Sequence, residues 1–274
     1  MQQKAITINN ISLSYYEQNE GADKTIFFVH GNSGSGKAWI RQFQGSHLSE
    51  YRLIAFDLPA HGQSASLDGS IFNYNFPDFG KLLNAAVNLL NRDKPYILAG
   101  VSIGTNIVTE SLAHGLKPEG IVLVGPCVLG GAYTVDKVVH EDPLIGIGFM
   151  DEISEAELHG YSQLGFFSKE EENWKAFATD FSKVTDGFRA KIATSFMAGD
   201  YSDEIKLLEE QPALLLVIFG EHERVCRINY LDDVRLNLWK EQIHKIPLAG
   251  HFVQADQPLV FNKMLADFAE EVFK

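Results

Sequence analysis

The sequence predicts an α/β fold: a mostly parallel, eight-stranded sheet flanked by helices and interrupted by one helical insertion. Three observations predict it. Short, nearly continuous apolar runs recur along the chain, amphipathic stretches separate most of them, and the alternation breaks after Gly125. Apolar runs without polar alternation suit strands covered on both faces, and helices placed between such strands make the sheet largely parallel.

Taken in order, Lys4 to Asn9 and Ile11 to Glu17 flank the turn-prone pair Asn9-Asn10 and form an opening hairpin. The buried-type strands follow at Thr25 to His30, Arg52 to Asp57, Tyr96 to Val101, Gly120 to Gly125, Ala213 to Gly220 and Gln242 to Pro247. Between them, Phe79 to Leu90 places Phe79, Leu82, Leu83, Ala86, Val87 and Leu90 on one helical face, and Ile103 to Ala113 directly follows a strand. From about Gly130 to Asp200 the chain is acidic and aromatic and carries no convincing strand. Ser168 to Phe181 has Trp174, Phe177, Ala178 and Phe181 at helical spacing, as the small core of an insertion would. The expected division is therefore a core of residues 1–129 and 201–274 with a helical insertion, 130–200, seated on one end of the sheet.

Of 274 residues, 23 are Lys or Arg and 36 are Asp or Glu, a formal charge of −13. With no cluster of basic residues, this excess argues against a nucleic-acid partner and against an anionic membrane surface. The opening MQQKAITINN lacks a basic region followed by an apolar stretch, and no run approaches 18 apolar residues, so the expected location is cytoplasmic. Cys127 and Cys226 lie far apart without metal-ligand spacing and read as small core residues.

Two strand-to-helix turns carry the candidate chemistry. The first, Gly31 to Ala38, matches the phosphate-cradling pattern G-x-x-x-x-G-K-[ST] except at its last place. There a hydroxyl would hold magnesium; Ala38 has no oxygen, which argues against a nucleotide. The second, Gly100-Val101-Ser102-Ile103-Gly104, sets Ser102 inside G-x-S-x-G between an apolar strand and a helix. A nucleophile held in so tight a turn leaves no room for side chains two positions away on either side.

Serine is a poor nucleophile until a base takes its proton, and that base needs a carboxylate to fix its tautomer. Of nine histidines, His251 stands out, since it follows the last strand and so lies at the carboxyl edge of the sheet, where open α/β sheets bind ligands. The carboxylate belongs after an intervening strand. Glu223 is the choice, with Glu221 two residues away as the alternative. An oxyanion hole requires the amide of the residue after the nucleophile and one from the loop after the third strand; the N–H groups of Ile103 and Asn32 fit.

Four segments then resemble the α/β-hydrolase superfamily in order: His30-Gly31-Asn32-Ser33, Asp57 to Ser64, Gly100 to Gly104, and Gly250-His251-Phe252. The second segment has Ala60 where Gly is usual. The resemblance implies the α/β-hydrolase fold with a cap, and structural roles for His30 and His61. A serine nucleophile sets the chain apart from the haloalkane dehalogenase and epoxide hydrolase branches, which attack with aspartate.

The loop His30 to Gly36, the turn Gly220 to Glu223, and Asn237-Leu238-Trp239 with His244 and Ala249-Gly250-His251 look more specifically like the metal-independent N-acyl-homoserine lactonases of this superfamily. That resemblance supports a glutamate as the acid and implies that Asn32 and a cap tyrosine, aligned with Tyr161, contact the substrate. The expected activity is hydrolysis of a small neutral ester or lactone through an acyl-enzyme, with no cofactor and no metal. A carboxylesterase, a thioesterase or a carbon–carbon bond hydrolase would use the same residues. A slow-turnover ligand receptor of the same fold is the alternative outside catalysis.

Overall fold

A computed structural model describes residues 1–67, 71–184 and 187–274. Its eight strands are β1 (Gln2–Ile8), β2 (Ile11–Gln18), β3 (Thr25–Val29), β4 (Arg52–Phe56), β5 (Tyr96–Val101), β6 (Gly120–Val124), β7 (Leu214–Gly220) and β8 (His244–Ile246). They form one sheet in the order β1-β2-β4-β3-β5-β6-β7-β8. β2 pairs antiparallel with β1 and β4, and every later pair is parallel. The eight strands and the mostly parallel pairing are those the sequence predicts.

The opening hairpin turns at Asn9 and Asn10, with φ of 48° and 67°. Two consecutive left-handed residues match the twist of the strands they join, and asparagine tolerates that region. The central strands β3 to β6 are buried along their whole length. β8 is shorter than the predicted Gln242 to Pro247. It is an edge strand bonded to β7 over three residues, and Lys240 and Glu241 before it take positive φ.

After β3 come α1 (Ile40–Gln44), α2 (Phe76–Asn91) between β4 and β5, and α3 (Ile103–Ala113) between β5 and β6. α2 starts one turn before the predicted Phe79 because Asn75 caps it, its side chain accepting from Asp78 N–H, with Pro77 in the first turn. α3 has the predicted bounds. Between β6 and β7 lie α4 (Val135–Val138), α5 (Pro143–Ile147), α6 (Glu155–Leu164), α7 (Glu171–Phe181), α8 (Phe188–Ala198) and α9 (Glu204–Glu209). α7 opens three residues after the predicted Ser168. α10 (Val253–Asp256) and α11 (Pro258–Val272) end the chain. Among the described residues no helix is long and apolar enough to cross a membrane.

The sheet divides the core into two layers. On one side α2 and α3 cover Phe27, Ile54, Leu98 and Leu123; on the other α11 and the turn at Trp39 cover Phe28, Ala55, Ile97 and Val122. Phe28 is fully buried, with its ring centroid 4.8 Å from Trp39 and 6.2 Å from Phe43. Phe28→Ala removes this contact from a layer with little freedom to collapse, and it is expected to lower the unfolding free energy by about 3–5 kcal/mol in urea denaturation.

Candidate active site

The chain passes from β5 into α3 through Ser102, whose φ of 55° and ψ of −131° lie outside the helical and extended regions. Non-glycine residues occupy such backbone only when their surroundings force it. Here the force is steric and bonded. Ser102 N–H donates to Val124 O at 3.0 Å, and Ser102 O accepts from both Thr105 N–H (2.8 Å) and Thr105 Oγ1 (2.6 Å). A Cβ on Gly104 would stand 2.6 Å from the carbonyl oxygens of Val29 and His30, and one on Gly100 would strike Gly104 O. β3 therefore lies so close to the elbow that only glycine fits.

That closeness brings the loop after β3 onto the serine: a Cβ on Gly31 would lie 2.9 Å from Ser102 Cβ. The next residue, Asn32, is buried. Its Nδ2 donates to Gly148 O at 2.7 Å, and its Oδ1 accepts from Ser33 Oγ at 2.9 Å. The Asn32 side chain is thus engaged within the protein, while Ile103 supplies the first N–H of α3, which has no acceptor inside the helix.

His251 stands between β8 and α10, and its Nδ1 lies 2.7 Å from Glu223 Oε2. Both are buried, at 2% and 8% exposure. Glu223 Oε1 accepts from Val225 N–H (2.7 Å) and Cys226 N–H (3.2 Å), so the carboxylate is held from both sides. The two loops are laced together by Glu221 N–H to Ile246 O and His222 N–H to Ala249 O, each 2.9 Å. With Nδ1–H donated to Glu223, His251 Nε2 carries a lone pair; it is buried and without a hydrogen-bond partner among the described residues. Glu221 is exposed, as is His222, which stacks on Phe167; His244 packs on Trp239.

Ser102, His251, Asn32 and Tyr161 line one cavity of about 30 Å³. Four of the sequence-predicted residues thus meet there, and Glu223 reaches it through His251. Tyr161, on α6, packs its hydroxyl against Gly148 and its ring against Phe177 and Phe181, and burial pushes its pKa up. Sequence reasoning missed Leu164, Val225, Phe177 and Phe252 as lining residues. Phe252 adjoins His251 and Phe177 belongs to the aromatic run on α7, but only the tertiary fold joins them.

Phe177 and Phe252 also line a second cleft of about 250 Å³, bounded by Gly34, Ala38 and Ala176. With Phe166 they make a wall between the two spaces, their ring centroids 4.9–6.4 Å apart. A volume near 30 Å³ is on the scale of one water, whereas about 150 Å³ accommodates benzene.

His30, Asp57 and His61 hold the site from behind. His30 Nδ1–H donates to Gly31 O at 2.7 Å, and its Nε2 accepts from Leu58 N–H at 3.0 Å. Asp57 accepts from Gly36 N–H (2.8 Å) and Gln63 N–H (2.9 Å), which turns the glycine-rich loop into a bracket for its own sheet. His61 packs edge-on against Phe188. Cys127 and Cys226 are buried free thiols.

A serine in a strained strand-to-helix turn, a carboxylate-bound histidine and this strand order together define an α/β hydrolase. Residues 26–264 match the Alpha/beta hydrolase family, and the chain belongs to it. It is 24% identical over 274 residues to 2-hydroxy-6-oxononadienedioate/2-hydroxy-6-oxononatrienedioate hydrolase 1 of Pseudomonas putida, with 94% of this chain and 92% of that protein covered. In fold it is similar to the N-acyl homoserine lactonase AidH complexed with N-butanoyl homoserine (TM-score 0.90, 22% identity, 100% and 98% of the two chains). The esterase RhEst1 from Rhodococcus sp. ECU1013 is similar also (TM-score 0.81, 20% identity, 99% and 100%).

Burial lowers the His30 pKa to about 4, below the value near 6.5 of an unfolded histidine. The unfolded chain therefore binds the proton first as pH falls. The contribution is fully present above about pH 6.5 and is lost towards pH 4, by about 3 kcal/mol from this group. In urea unfolding across that range, His30→Gln should lack this share of the pH dependence.

Proposed function

We propose that the protein is a serine hydrolase that cleaves a small neutral ester or lactone through an acyl-enzyme. The observation that carries this reading is the buried 2.7 Å hydrogen bond between His251 Nδ1 and Glu223, which leaves Nε2 as a base in the cavity that Ser102 lines. Ser102 Oγ attacks the substrate carbonyl as His251 Nε2 takes its proton, and Glu223 stabilises the imidazolium. The N–H groups of Asn32 and Ile103 receive the oxyanion, helped by the N-terminal end of the α3 dipole. His251 returns the proton to the leaving oxygen, and water releases the acid by the reverse sequence. With a lactone the leaving alcohol stays attached, and the product is a hydroxy acid.

Charge favours a neutral substrate. No Lys or Arg is among the described residues lining the reaction cavity, and the chain as a whole carries −13. The Pseudomonas relative is named for dioates; here the cations Lys37, Arg41 and Lys183 line the outer cleft, with Asp180 among them, and not the reaction cavity. N-acyl-homoserine lactone is the particular substrate we favour, supported by the glutamate beside His251, by Tyr161 and Asn32 in one cavity, and by the likeness in fold to the lactonase. Residues 130–200 act as the cap over Ser102. Because the reaction cavity holds little more than a water, the ring enters as Phe177 and Phe252 turn aside, and the acyl chain lies in the 250 Å³ cleft beyond them.

Ser102→Ala is expected to lower kcat for p-nitrophenyl acetate by about 10⁴-fold or more, and Glu223→Gln by about 10⁴-fold. Glu221→Gln should behave as wild type; the reverse order of the two glutamates would exchange their roles. With N-acyl-homoserine lactone, the product should reclose to lactone on acidification. Homoserine lactone plus fatty acid would instead mean amide cleavage and defeat the lactonase reading.

Filling the outer cleft with Ala176→Trp should lower kcat/KM for p-nitrophenyl decanoate relative to the acetate by roughly tenfold, the scale of a few methylenes in an apolar pocket. An unchanged ratio would place the acyl chain elsewhere.

A further inference from the structure

Arg189, on α8, is 5% exposed. Among the described residues no carboxylate lies within 4.0 Å of it. A buried guanidinium is costly and stays charged, and with Asp151 acting on it only from beyond ion-pair distance, its hydrogen-bond neighbours among the described residues decide what it does. It lies flat on Phe181, with Cζ 3.7 Å from the ring centroid, and donates from a terminal nitrogen to Phe181 O at the end of α7. Its Nε–H donates to Ser33 Oγ at 3.1 Å. Ser33 Oγ–H then donates to Asn32 Oδ1 at 2.9 Å, and Asn32 Nδ2–H donates to Gly148 O at 2.7 Å. Every bond in this chain points the same way, from the cation through the hydroxyl to the amide, so each polarises the next.

Ser33 itself takes a φ of 55°. A left-handed serine must be held by its surroundings, and the bond from Arg189 is one of the ties that hold it. Asn32, whose backbone N–H is proposed to meet the oxyanion, is the residue immediately before it.

We propose that Arg189 is a positioning residue for the oxyanion hole, acting through Ser33 to fix the Asn32 amide and to set a positive potential behind it. This rests on the acyl-transfer reading above. Arg189 does not line the reaction cavity, so it stabilises the charge that develops on the carbonyl without binding the neutral substrate. Arg189 also joins the end of α7 to α8, so the seating of these helices is tied to the loop that carries Asn32.

The test compares Arg189→Met with wild type in kcat, KM, thermal midpoint and the Ki of an acyl trifluoromethyl ketone, which adds Ser102 Oγ to form an oxyanion. Removing an oxyanion donor outright costs about 10²–10³-fold, and a residue one step behind should cost less. The expected result is a kcat lower by roughly tenfold, a Ki raised by the same factor, KM nearly unchanged, and a thermal midpoint equal or higher because a buried charge has gone. Arg189→Lys should recover part of the loss. A merely structural role predicts a lower midpoint with kcat and Ki intact. An unchanged kcat overturns the proposal, as does a kcat loss that Ki does not share. Should Arg189→Met fail to fold, Ser33→Ala breaks the same chain and carries the same expectation for kcat, KM and Ki. Failure of the acyl-transfer reading shows separately, as activity retained by Ser102→Ala.

Discussion

The contact on which the site depends is the crossing of β3 and the β5–α3 elbow. Ser102 can hold its strained backbone because Gly100 and Gly104 let the chain fold back against itself and against the end of β3. The strand order makes this crossing possible, since β3 and β5 are hydrogen-bonded neighbours from Thr25↔Tyr96 to Val29↔Gly100. A register slip of one residue would turn the buried side chains of either strand to the opposite face. The pairing that builds the core therefore also sets Gly31 against Ser102.

Around that crossing, the other elements arrive by separate routes. His251 and Glu223 come from loops after the edge strand β8 and its neighbour β7, and hydrogen bonds between those loops hold them together. The inserted segment is tied to the same loops: Val139 bridges Cys226 beside Glu223, Phe252 N–H donates to Gly165 O, and Asp256 accepts from Phe167 and Ser168. Movement of α6 or α7 is thereby coupled to the loops carrying Glu223 and His251. The Phe166, Phe177 and Phe252 wall stands at this junction, in ring contact with His251 through Phe252.

What the sequence revealed follows from how local each feature is. The eight strands were legible because runs such as Ile97-Leu98-Ala99 carry their burial in their composition, and the elbow was legible because its glycines answer to contacts within a few residues. Strand ends were less so: β8 stops early for want of a second neighbour, which no local pattern encodes, and α2 starts early because of a cap at Asn75. His251 could be picked out from nine histidines because strand order fixes which loop ends at the carboxyl edge. Glu223 was the choice from sequence with Glu221 as its alternative, because two residues on one turn differ only in which side chain the turn aims inward; in the fold it is Glu223 that meets His251. Arg189 had no local signal, and the helical spacing of Phe177 pointed only to the core of the insertion. Their meaning comes from contacts more than 70 residues away in sequence, to Ser33 and Phe252.

The arrangement of charge argues for transition-state rather than ground-state recognition. A chain of −13 with a cation lining the reaction cavity would attract anions there, and a neutral carbonyl would gain nothing until it reacted. Here the cation is withdrawn behind a hydroxyl and an amide, buried, and absent from the cavity lining. A neutral ester or lactone feels that field weakly, because it carries only partial charge. In the reaction proposed above the tetrahedral oxyanion carries a full one, so the interaction grows as that reaction proceeds, which is the condition for raising kcat rather than merely lowering KM. An anionic product or bystander makes no direct ion pair, since Arg189 does not line the cavity. On the role proposed for Arg189, placing the charge one residue behind Asn32 separates catalysis from binding, at the cost of burying a guanidinium that also ties α7 to α8.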